Sequence, residues 1–447
     1  MIKLFFHGDR YTRLSSQLLD SVFESCAIVL ANVVDVGGEI RLLVSEVIIA
    51  PPEAYAHRKE EFAELKPEFI VPIAKRARAN RNSIIFCHTH PASVGEPFFS
   101  PIDDQGERQL ALFLADRVPE VIHAALVIGP GGCRARKLGA NEEVGVVEVG
   151  TCRRVLFSPN TPANAAIENH DRQIRAFGKQ GQADIERLKI GIVGLGGTGS
   201  IVANQLAHLG CKNFVLIDPD EVETTNLNRL VGSIPEDIGI LKVDVAKRAI
   251  TTVSPSAKIV KLKGNITDDT TAKELISSDF IFCCTDSHAS RAVINQVAYQ
   301  YFIPCIDMGV SISTKDGVVA YITGRVQMLS PGLGCLACGN ILDGNIIRRE
   351  MMNDEQREAD PYFQGGNGEP QPAVISLNGT MSSLAITMFL GAVTNIPATA
   401  RLQFYDGIKG VLRSAVQSQN PSCIVCSENG ALGLGHQWAL PVKRSNS

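Results

Sequence analysis

A glycine-rich turn between an apolar strand and a helix restricts the fold of this chain more than any other feature. The sequence LKIGIVGLGGTGS runs from a predicted strand straight into closely spaced glycines. Further strand-like runs then alternate with helical segments, namely NFVLID, AKIVKLKG, DFIFCCTD and IPCIDMGV. This alternation predicts a doubly wound parallel sheet, to which GVVAYITGRVQML adds antiparallel strands.

The same turn predicts a nucleotide site. Glycines lack a Cβ and let a phosphate approach the backbone at the start of a helix; those expected to do so are Gly194, Gly196, Gly197 and Gly199. Asp218 follows at the end of the next strand, where an acidic side chain can accept hydrogen bonds from ribose hydroxyls. An NAD-dependent dehydrogenase shares these features, so they do not distinguish hydride transfer from nucleotidyl transfer.

A second domain precedes this sheet. Residues 1–156 mix strand-like runs with helical segments, which is typical of an α+β domain around a curved sheet. Residues 157–170 are rich in Pro, Asn and Ala and lack apolar periodicity, so we expect a linker there. Residues 171–447 then form the α/β domain.

The N-terminal domain carries a candidate metal site in CHTHPASVGEPFFSPIDD. His88 and His90 are two residues apart on a predicted strand, so their side chains point to the same face. Asp103 could supply a third ligand, leaving the fourth position of a tetrahedral zinc site to water. Zinc lowers the pKa of such a water and polarises a carbonyl, and a nearby carboxylate can carry the proton.

The pattern HTHP…SPID resembles the His-x-His, Ser-x-x-Asp signature of the JAB/MPN (JAMM) metalloproteases, which cleave peptide or isopeptide bonds after ubiquitin-like proteins. The similarity spans roughly residues 1 to 150. It implies that His88, His90 and Asp103 bind catalytic zinc. It also implies that Ser100 donates a hydrogen bond to the oxyanion and that Glu24, in FESCAIVLAN, moves the proton.

This sequence departs from the JAB/MPN pattern in two places. The gap between His90 and Ser100 is longer than usual, and Ala27 and Ala31 stand where the family has glycines. Glu46 is a rival proton carrier, and a catalytically silent docking domain stays an alternative.

The second domain resembles the ThiF/MoeB and ubiquitin-activating adenylyltransferases over about residues 165 to 430, in DPDEVETTNLNRL, IGILKVDVAKRA and CCTDSHASR. The resemblance implies a Rossmann-like fold that binds ATP and Mg²⁺. Arg229 and Lys242 would surround the triphosphate with positive charge, and Asp286 would hold Mg²⁺. The resemblance also implies that Asp220 and Asn226 belong to the same nucleotide site.

The segment NHDRQIRAFG resembles the helix that precedes the glycine turn in this family. By that resemblance Arg172 reaches the nucleotide pocket of the opposite subunit. The protein would therefore be a homodimer with each site completed in trans.

Two CxxC pairs predict a structural zinc site. Four thiolates form a closed tetrahedral site, and cysteines stay reduced in a chain without an export signal; the four ligands are Cys335, Cys338, Cys423 and Cys426. The separation of the pairs matches the ThiF/MoeB arrangement.

Many activating enzymes transfer their substrate to a cysteine in the crossover segment, but here residues 341–380 contain none. Cys283, Cys284 and Cys305 lie in predicted buried strands, so we expect core packing rather than nucleophilic roles. Adenylation followed by handover to an external acceptor is the resulting prediction. Residues 348–368 are expected to form a mobile crossover loop.

Together the motifs predict a bifunctional enzyme that adenylates the C-terminal carboxylate of a ubiquitin-like or sulfur-carrier protein and cleaves bonds after such a protein. A downstream conjugating or acceptor protein is an expected partner. The alternative is adenylation of a peptide or small-molecule carboxylate. The net charge of −4 and scattered basic residues argue against nucleic acid, and the apolar runs are shorter than the about 20 residues needed to span a bilayer, so we expect a cytoplasmic protein.

Overall fold

The computed structural model describes residues 1–159, 168–352 and 372–443. The chain divides into two compact units. The first comprises Met1–Thr161 together with Gly433–Trp438, and the second comprises Pro162–Leu432 and Ala439–Ser447.

The first unit is built on a mixed eight-stranded sheet in the order β10-β9-β1-β3-β2-β6-β7-β8, with a separate two-stranded hairpin. Its strands are β1 (Ile2–His7), β2 (Cys26–Val36), β3 (Glu39–Ile49), β4 (Tyr55–Arg58), β5 (Ala63–Leu65), β6 (Ser83–Thr89), β7 (Ala124–Gly129), β8 (Gly132–Lys137), β9 (Val144–Val149) and β10 (Arg153–Phe157). Its helices are α1 (Arg10–Leu18), α2 (Pro67–Asn80) and α3 (Pro101–Arg117).

The central strand β2 pairs antiparallel with both β3 and β6. Apolar side chains alternate along these strands, and the sheet therefore packs a core on each face. The pairing places Cys26 opposite His88, which brings the residues just before β2 close to the end of β6.

The segment Gly433–Trp438 belongs to the first unit, whereas the sequence assigned all of residues 171–447 to the second. The side-chain amide of the buried Asn32 donates to the carbonyl of Gly433 at 2.8 Å, and the Gln437 amide donates back to Asn32 Oδ1 at 3.0 Å. These buried polar groups need partners, and this segment supplies them. The predicted linker also starts later, since Phe157 still belongs to β10.

The second unit contains an eight-stranded sheet in the order β13-β12-β11-β14-β15-β16-β17-β18. Its strands are β11 (Lys189–Val193), β12 (Asn213–Ile217), β13 (Lys258–Leu262), β14 (Phe280–Cys283), β15 (Cys305–Lys315), β16 (Val318–Leu329), β17 (Leu402–Asp406) and β18 (Val411–Ser414). Its helices are α4 (Asp171–Arg187), α5 (Gly197–His208), α6 (Lys242–Val253), α7 (Asp269–Leu275), α8 (His288–Gln300), α9 (Gly344–Met351) and α10 (Ile375–Val393).

Neighbouring strands are parallel in the part of the sheet ordered β13-β12-β11-β14-β15. They are antiparallel in the part ordered β15-β16-β17-β18. The predicted parallel sheet with added antiparallel strands is thus confirmed. Ligands in such sheets bind beyond the carboxyl ends of the strands, where β11, β12 and β14 end.

Two other expectations about this unit change. The apolar run near residue 385 belongs to α10, which is long and apolar enough to cross a membrane by length and composition alone. Half of its most apolar window is buried, and Met381, Ala385 and Phe389 pack into the core, as in the core helix of a globular domain. Of the predicted crossover loop, residues 348–351 complete α9, and residues 353–368 lie outside the described part of the chain.

Candidate functional site

In the first unit, three predicted metal ligands converge at the carboxyl end of β6. His88 Nε2 lies 3.2 Å from Asp103 Oδ1, and His90 Nε2 lies 3.4 Å from Asp103 Oδ2. Ligand atoms of all three residues fall within 4.8 Å of one another. Zinc bonds of 2.0–2.1 Å place tetrahedral ligands about 3.3–3.4 Å apart, so these distances fit a zinc ion.

The burial of His88 supports the same interpretation. Its side chain is only 3% exposed. Among the described residues neither ring nitrogen makes a hydrogen bond of good geometry, although Nε2 lies 3.2 Å from Asp103 Oδ1. Buried polar atoms are normally paired, and an unpaired one costs free energy. A metal ion at Nε2 would provide the missing interaction there.

The long loop between His90 and Ser100 leaves Asp103 at the site. Ser100 caps α3: its backbone N–H donates to Asp103 Oδ2 at 2.6 Å, and the Asp103 N–H donates to Ser100 Oγ at 3.2 Å. This reciprocal capping box fixes the Asp103 carboxylate at the first turn of α3. The Ser100 hydroxyl accepts a bond here and still carries a proton that it can donate.

The acidic and basic groups of the cluster shift each other's pKa values toward the charged forms. Burial raises the pKa of Asp103, but the adjacent imidazoles of His88 and His90 outweigh this effect and lower it overall. The Asp103 carboxylate in turn raises the pKa of His90.

Glu24, rather than Glu46, lies beside this cluster. Its carboxylate is 5% exposed, and Oε1 is 3.5 Å from His90 Nε2. Burial raises the pKa of Glu24, while the two histidines oppose that shift. Glu46 instead forms a partly exposed ion pair with Arg76 at 3.0 Å. The structure therefore favours Glu24 as the group that could carry a proton.

A cavity of about 580 Å³ adjoins the cluster. Glu24, His88 and Asp103 line it, together with apolar side chains from α2, α3 and the segment before β5. It offers room for a substrate chain next to the metal ligands.

In the second unit, the glycine turn forms an open helix start. Gly194 has a φ of +87°, and a Cβ at Gly199 would lie 1.8 Å from the Gly194 carbonyl oxygen, so both positions need glycine. A Cβ at Gly196 would meet no described atom within 4 Å. Within the described residues no side chain caps α5, and its first N–H groups can receive an anion.

Basic and acidic side chains border this turn. A Cβ at Gly197 would come within 3.4 Å of Arg229 Cδ, which places Arg229 over the start of α5. Lys242 begins α6 and pairs with Asp220 at 2.7 Å. Asp286 is exposed between β14 and α8. The structure thus gathers positive charge and an exposed carboxylate near the ends of the parallel strands.

Asp218 and Asn226 are buried, and their contact with a nucleotide stays a prediction. Asp218 is 4% exposed, and its carboxylate accepts the N–H groups of Leu195 at 2.6 Å and Asp220 at 2.9 Å. Asn226 is also buried and accepts the Glu223 N–H at 3.2 Å. Both shape the loops through buried hydrogen bonds. The Asp220 side chain, by contrast, is 61% exposed.

The sequence missed Asn378. This buried residue of α10 lies against the turn, since a Cβ at Gly197 would be 2.1 Å from its amide nitrogen. No local pattern marks it, because it comes from a helix far along the chain. Arg172 is exposed near the start of α4, and its action in trans stays a prediction.

The four predicted zinc cysteines meet in the second unit. The Sγ atoms are 3.7 Å apart for Cys335–Cys338, 3.6 Å for Cys335–Cys423 and 3.4 Å for Cys338–Cys426. Zn–S bonds of 2.3 Å give a tetrahedral edge of about 3.8 Å, close to these values. The N–H of Asn420 also donates to Cys338 Sγ at 3.4 Å, as expected for a thiolate ligand.

The remaining candidate thiols are poor nucleophiles. Burial raises the pKa of Cys284 to about 12 and holds the pKa values of Cys283 and Cys305 well above their ordinary range. Since the thiolate is the reactive form, these cysteines pack rather than react.

Residues 170–425 match the sequence model of the ThiF family. Ubiquitin-like modifier-activating enzyme 5 of Drosophila willistoni is 30% identical over 189 residues, covering 38% of this chain and 45% of that protein. Molybdopterin-synthase adenylyltransferase of Escherichia coli (strain K12) is 26% identical over 263 residues, covering 58% of this chain and 96% of that protein. The chain spans less than half the length of the first relative.

Among solved structures, E. coli MccB with ATP superposes with a TM-score of 0.46 at 20% identity, over 61% of this chain and 76% of that one. MccB in complex with N-formylated MccA gives a TM-score of 0.48 at 20% identity, over 58% and 75%. The family match leaves the first unit outside it.

Proposed function

The chain belongs to the ThiF family, and on that premise we propose that it adenylates the C-terminal carboxylate of a ubiquitin-like or sulfur-carrier protein and also cleaves peptide or isopeptide bonds after such a protein. The observation that carries the first activity is the open start of α5 with Arg229 placed over it.

In the adenylation step, an oxygen of the substrate carboxylate attacks the α-phosphate of ATP. A P–O bond forms there, and the bond to the leaving pyrophosphate breaks. The N–H groups of α5, Arg229 and Lys242 would hold the negative charge that gathers on the phosphates. Asp218, with Asp220 close by in sequence, would bind the ribose, and Asp286 would hold Mg²⁺, which neutralises phosphate charge when bound.

The substrate class follows from the relatives, whose names describe activation of a ubiquitin-like modifier and adenylation for molybdopterin synthase. Residues 341–380 contain no cysteine. Of the three candidate thiols outside the zinc cluster, Cys283 and Cys305 are buried and Cys284 is partly buried with a raised pKa. We therefore propose handover of the adenylate to an external acceptor. A cytoplasmic homodimer with Arg172 acting across the interface is part of the proposal.

Pyrophosphate exchange tests this activity. The protein is incubated with ATP, Mg²⁺, labelled pyrophosphate and small proteins ending in Gly-Gly that are encoded beside its gene. Label should enter ATP only when the C-terminal carboxylate is free, and an amidated C-terminus is the control. Absence of exchange with every candidate would refute the proposed substrate class.

The observation that carries the second activity is the convergence of His88, His90 and Asp103 beside Glu24. A zinc ion held there would supply a water of lowered pKa and polarise the scissile carbonyl. Glu24 is within reach to take a proton and return it to the leaving amine, and the Ser100 hydroxyl would donate to the oxyanion.

A cleavage assay tests this second activity and its rival. A candidate ubiquitin-like protein extended beyond Gly-Gly should be cut by the native protein and left intact by His88→Ala. Zinc analysis of the native protein should give about two ions per chain. Zinc at the cysteine cluster alone, without cleavage, would instead support a docking role for the first unit.

A further inference from the structure

Asp286, the proposed Mg²⁺ ligand, lies immediately before Ser287, the N-cap of helix α8, which begins at His288. The Ser287 hydroxyl accepts the N–H of Ser290. The position of Asp286 therefore depends on how firmly the first turn of α8 is held.

Glu350, from α9, holds this turn. Its Oε2 accepts the Ser287 hydroxyl at 2.7 Å and the Ala289 N–H at 2.6 Å. One carboxylate oxygen thus binds both the N-cap side chain and the first turn of the helix. Hydrogen bonds to a carboxylate are roughly twice as strong as neutral ones, and a negative charge is favourable at a helix N-terminus.

The contact also orders α9 itself. None of the residues of α9, all of which the structure describes, is buried. At its other end the Asp343 N–H donates to His288 Nδ1 at 3.1 Å. Polar contacts to α8 at both ends, rather than a buried apolar face, therefore attach α9 to the unit.

The starts of α5 and α8, both near the proposed nucleotide site, differ in their capping. The start of α5 has no side-chain cap within the described residues, whereas the start of α8 is closed by Ser287 and Glu350. Of these two helix starts, that of α5 is the one with N–H groups open to a phosphate, and that of α8 would serve to orient Asp286.

We propose that Glu350 is a positioning residue, which acts through Ser287 and Ala289 to hold Asp286 in the orientation that binds the nucleotide-linked divalent cation. This inference rests on the proposed adenylation activity. It predicts a specific defect in cation binding rather than in nucleotide binding or folding.

The test measures Mn²⁺ binding by electron paramagnetic resonance of the free ion, with the full-length protein and the non-hydrolysable analogue AMPCPP. Mutation of a residue that orients a metal ligand typically weakens metal binding by about 10- to 100-fold. Glu350→Ala should therefore weaken Mn²⁺ binding about tenfold or more. Its affinity for AMPCPP without divalent cation should be unchanged, because the glycine turn and Arg229 are intact.

Two further variants sharpen the result. Glu350→Gln keeps an oxygen that can accept both hydrogen bonds and should recover most of the Mn²⁺ affinity. Glu274→Ala removes an exposed carboxylate from the end of α7 and should bind Mn²⁺ like the native protein. Glu350→Ala should lower the melting temperature slightly, because it removes two hydrogen bonds at one helix start. Glu350→Gln and Glu274→Ala should melt near the native value.

Native Mn²⁺ affinity in Glu350→Ala would overturn this inference while leaving the adenylation proposal intact. Equal loss of AMPCPP binding without cation, or loss of affinity in Glu350→Gln equal to that in Glu350→Ala, would also overturn it. Failure of the native protein to bind Mn²⁺ with AMPCPP would instead refute the proposed nucleotide site, and this inference with it.

Discussion

Replacement of Asp103 by alanine separates its role as a metal ligand from its role in capping α3. Asp103→Ala removes one of three converging ligands and also the acceptor of the Ser100 N–H. Loss of a helix cap typically costs about 1 kcal/mol. For a unit of this size, that cost lowers the melting temperature by only about 2–4 °C.

Ser100→Ala is the matched control. It removes the acceptor of the Asp103 N–H, and so weakens the same cap by a similar amount, but leaves all three ligands. The two variants should therefore lose a similar amount of cap stability but differ in metal content, and Asp103→Ala should melt lower by the stabilisation that the bound zinc provides.

The assay is elemental analysis of desalted protein. The native chain and Ser100→Ala should each hold about two zinc ions, and Asp103→Ala about one, because two histidines alone do not make a catalytic zinc site. Two zinc ions in Asp103→Ala would show that the Asp103 carboxylate does not bind metal. One zinc ion in Ser100→Ala would show that loss of the cap alone empties the site, and the loss in Asp103→Ala would then be no evidence for a metal ligand.

Three further outcomes are expected. Glu24→Gln should slow cleavage by about 10²–10⁴-fold without loss of zinc, whereas Glu46→Gln should cleave normally, and equal rates in a peptide-cleavage assay would reject Glu24 as proton carrier. Gly199→Ala should destabilise the protein by about 1–3 kcal/mol in urea unfolding because of the clash with the Gly194 carbonyl, whereas Gly196→Ala should fold normally and lose ATP affinity by calorimetry; similar unfolding midpoints would contradict the packing argument. Arg229→Ala should slow pyrophosphate exchange by about 10²–10³-fold at unchanged melting temperature, and native exchange would exclude its phosphate role.

Short-range features of both sites could be predicted from the sequence. The shared face of His88 and His90 follows from the two-residue period of a strand. The glycine turn is equally local, because the strand β11, the turn and α5 are consecutive. The spacing Ser100 to Asp103 fits both a metal motif and a capping box, and the structure shows the second directly.

Features that depend on tertiary pairing could not be derived in this way. Glu24 reaches the metal ligands because β2 pairs with β6, and only a family resemblance pointed to it. Asp218 keeps the expected place after its strand, but its depth of burial turns its carboxylate toward backbone N–H groups. The position of Asn378 beside Gly197 and that of Gly433–Trp438 beside β2 come from contacts far apart in sequence.

The central claim is that one chain trims a ubiquitin-like or sulfur-carrier protein and then activates the exposed carboxylate. The most direct test gives the protein ATP, Mg²⁺ and the same substrate in two forms, one ending in Gly-Gly and one extended beyond it, and follows adenylate formation by mass spectrometry. The native protein should adenylate both forms, and His88→Ala should adenylate only the form ending in Gly-Gly. Adenylation of the short form alone by the native protein would contradict the claim.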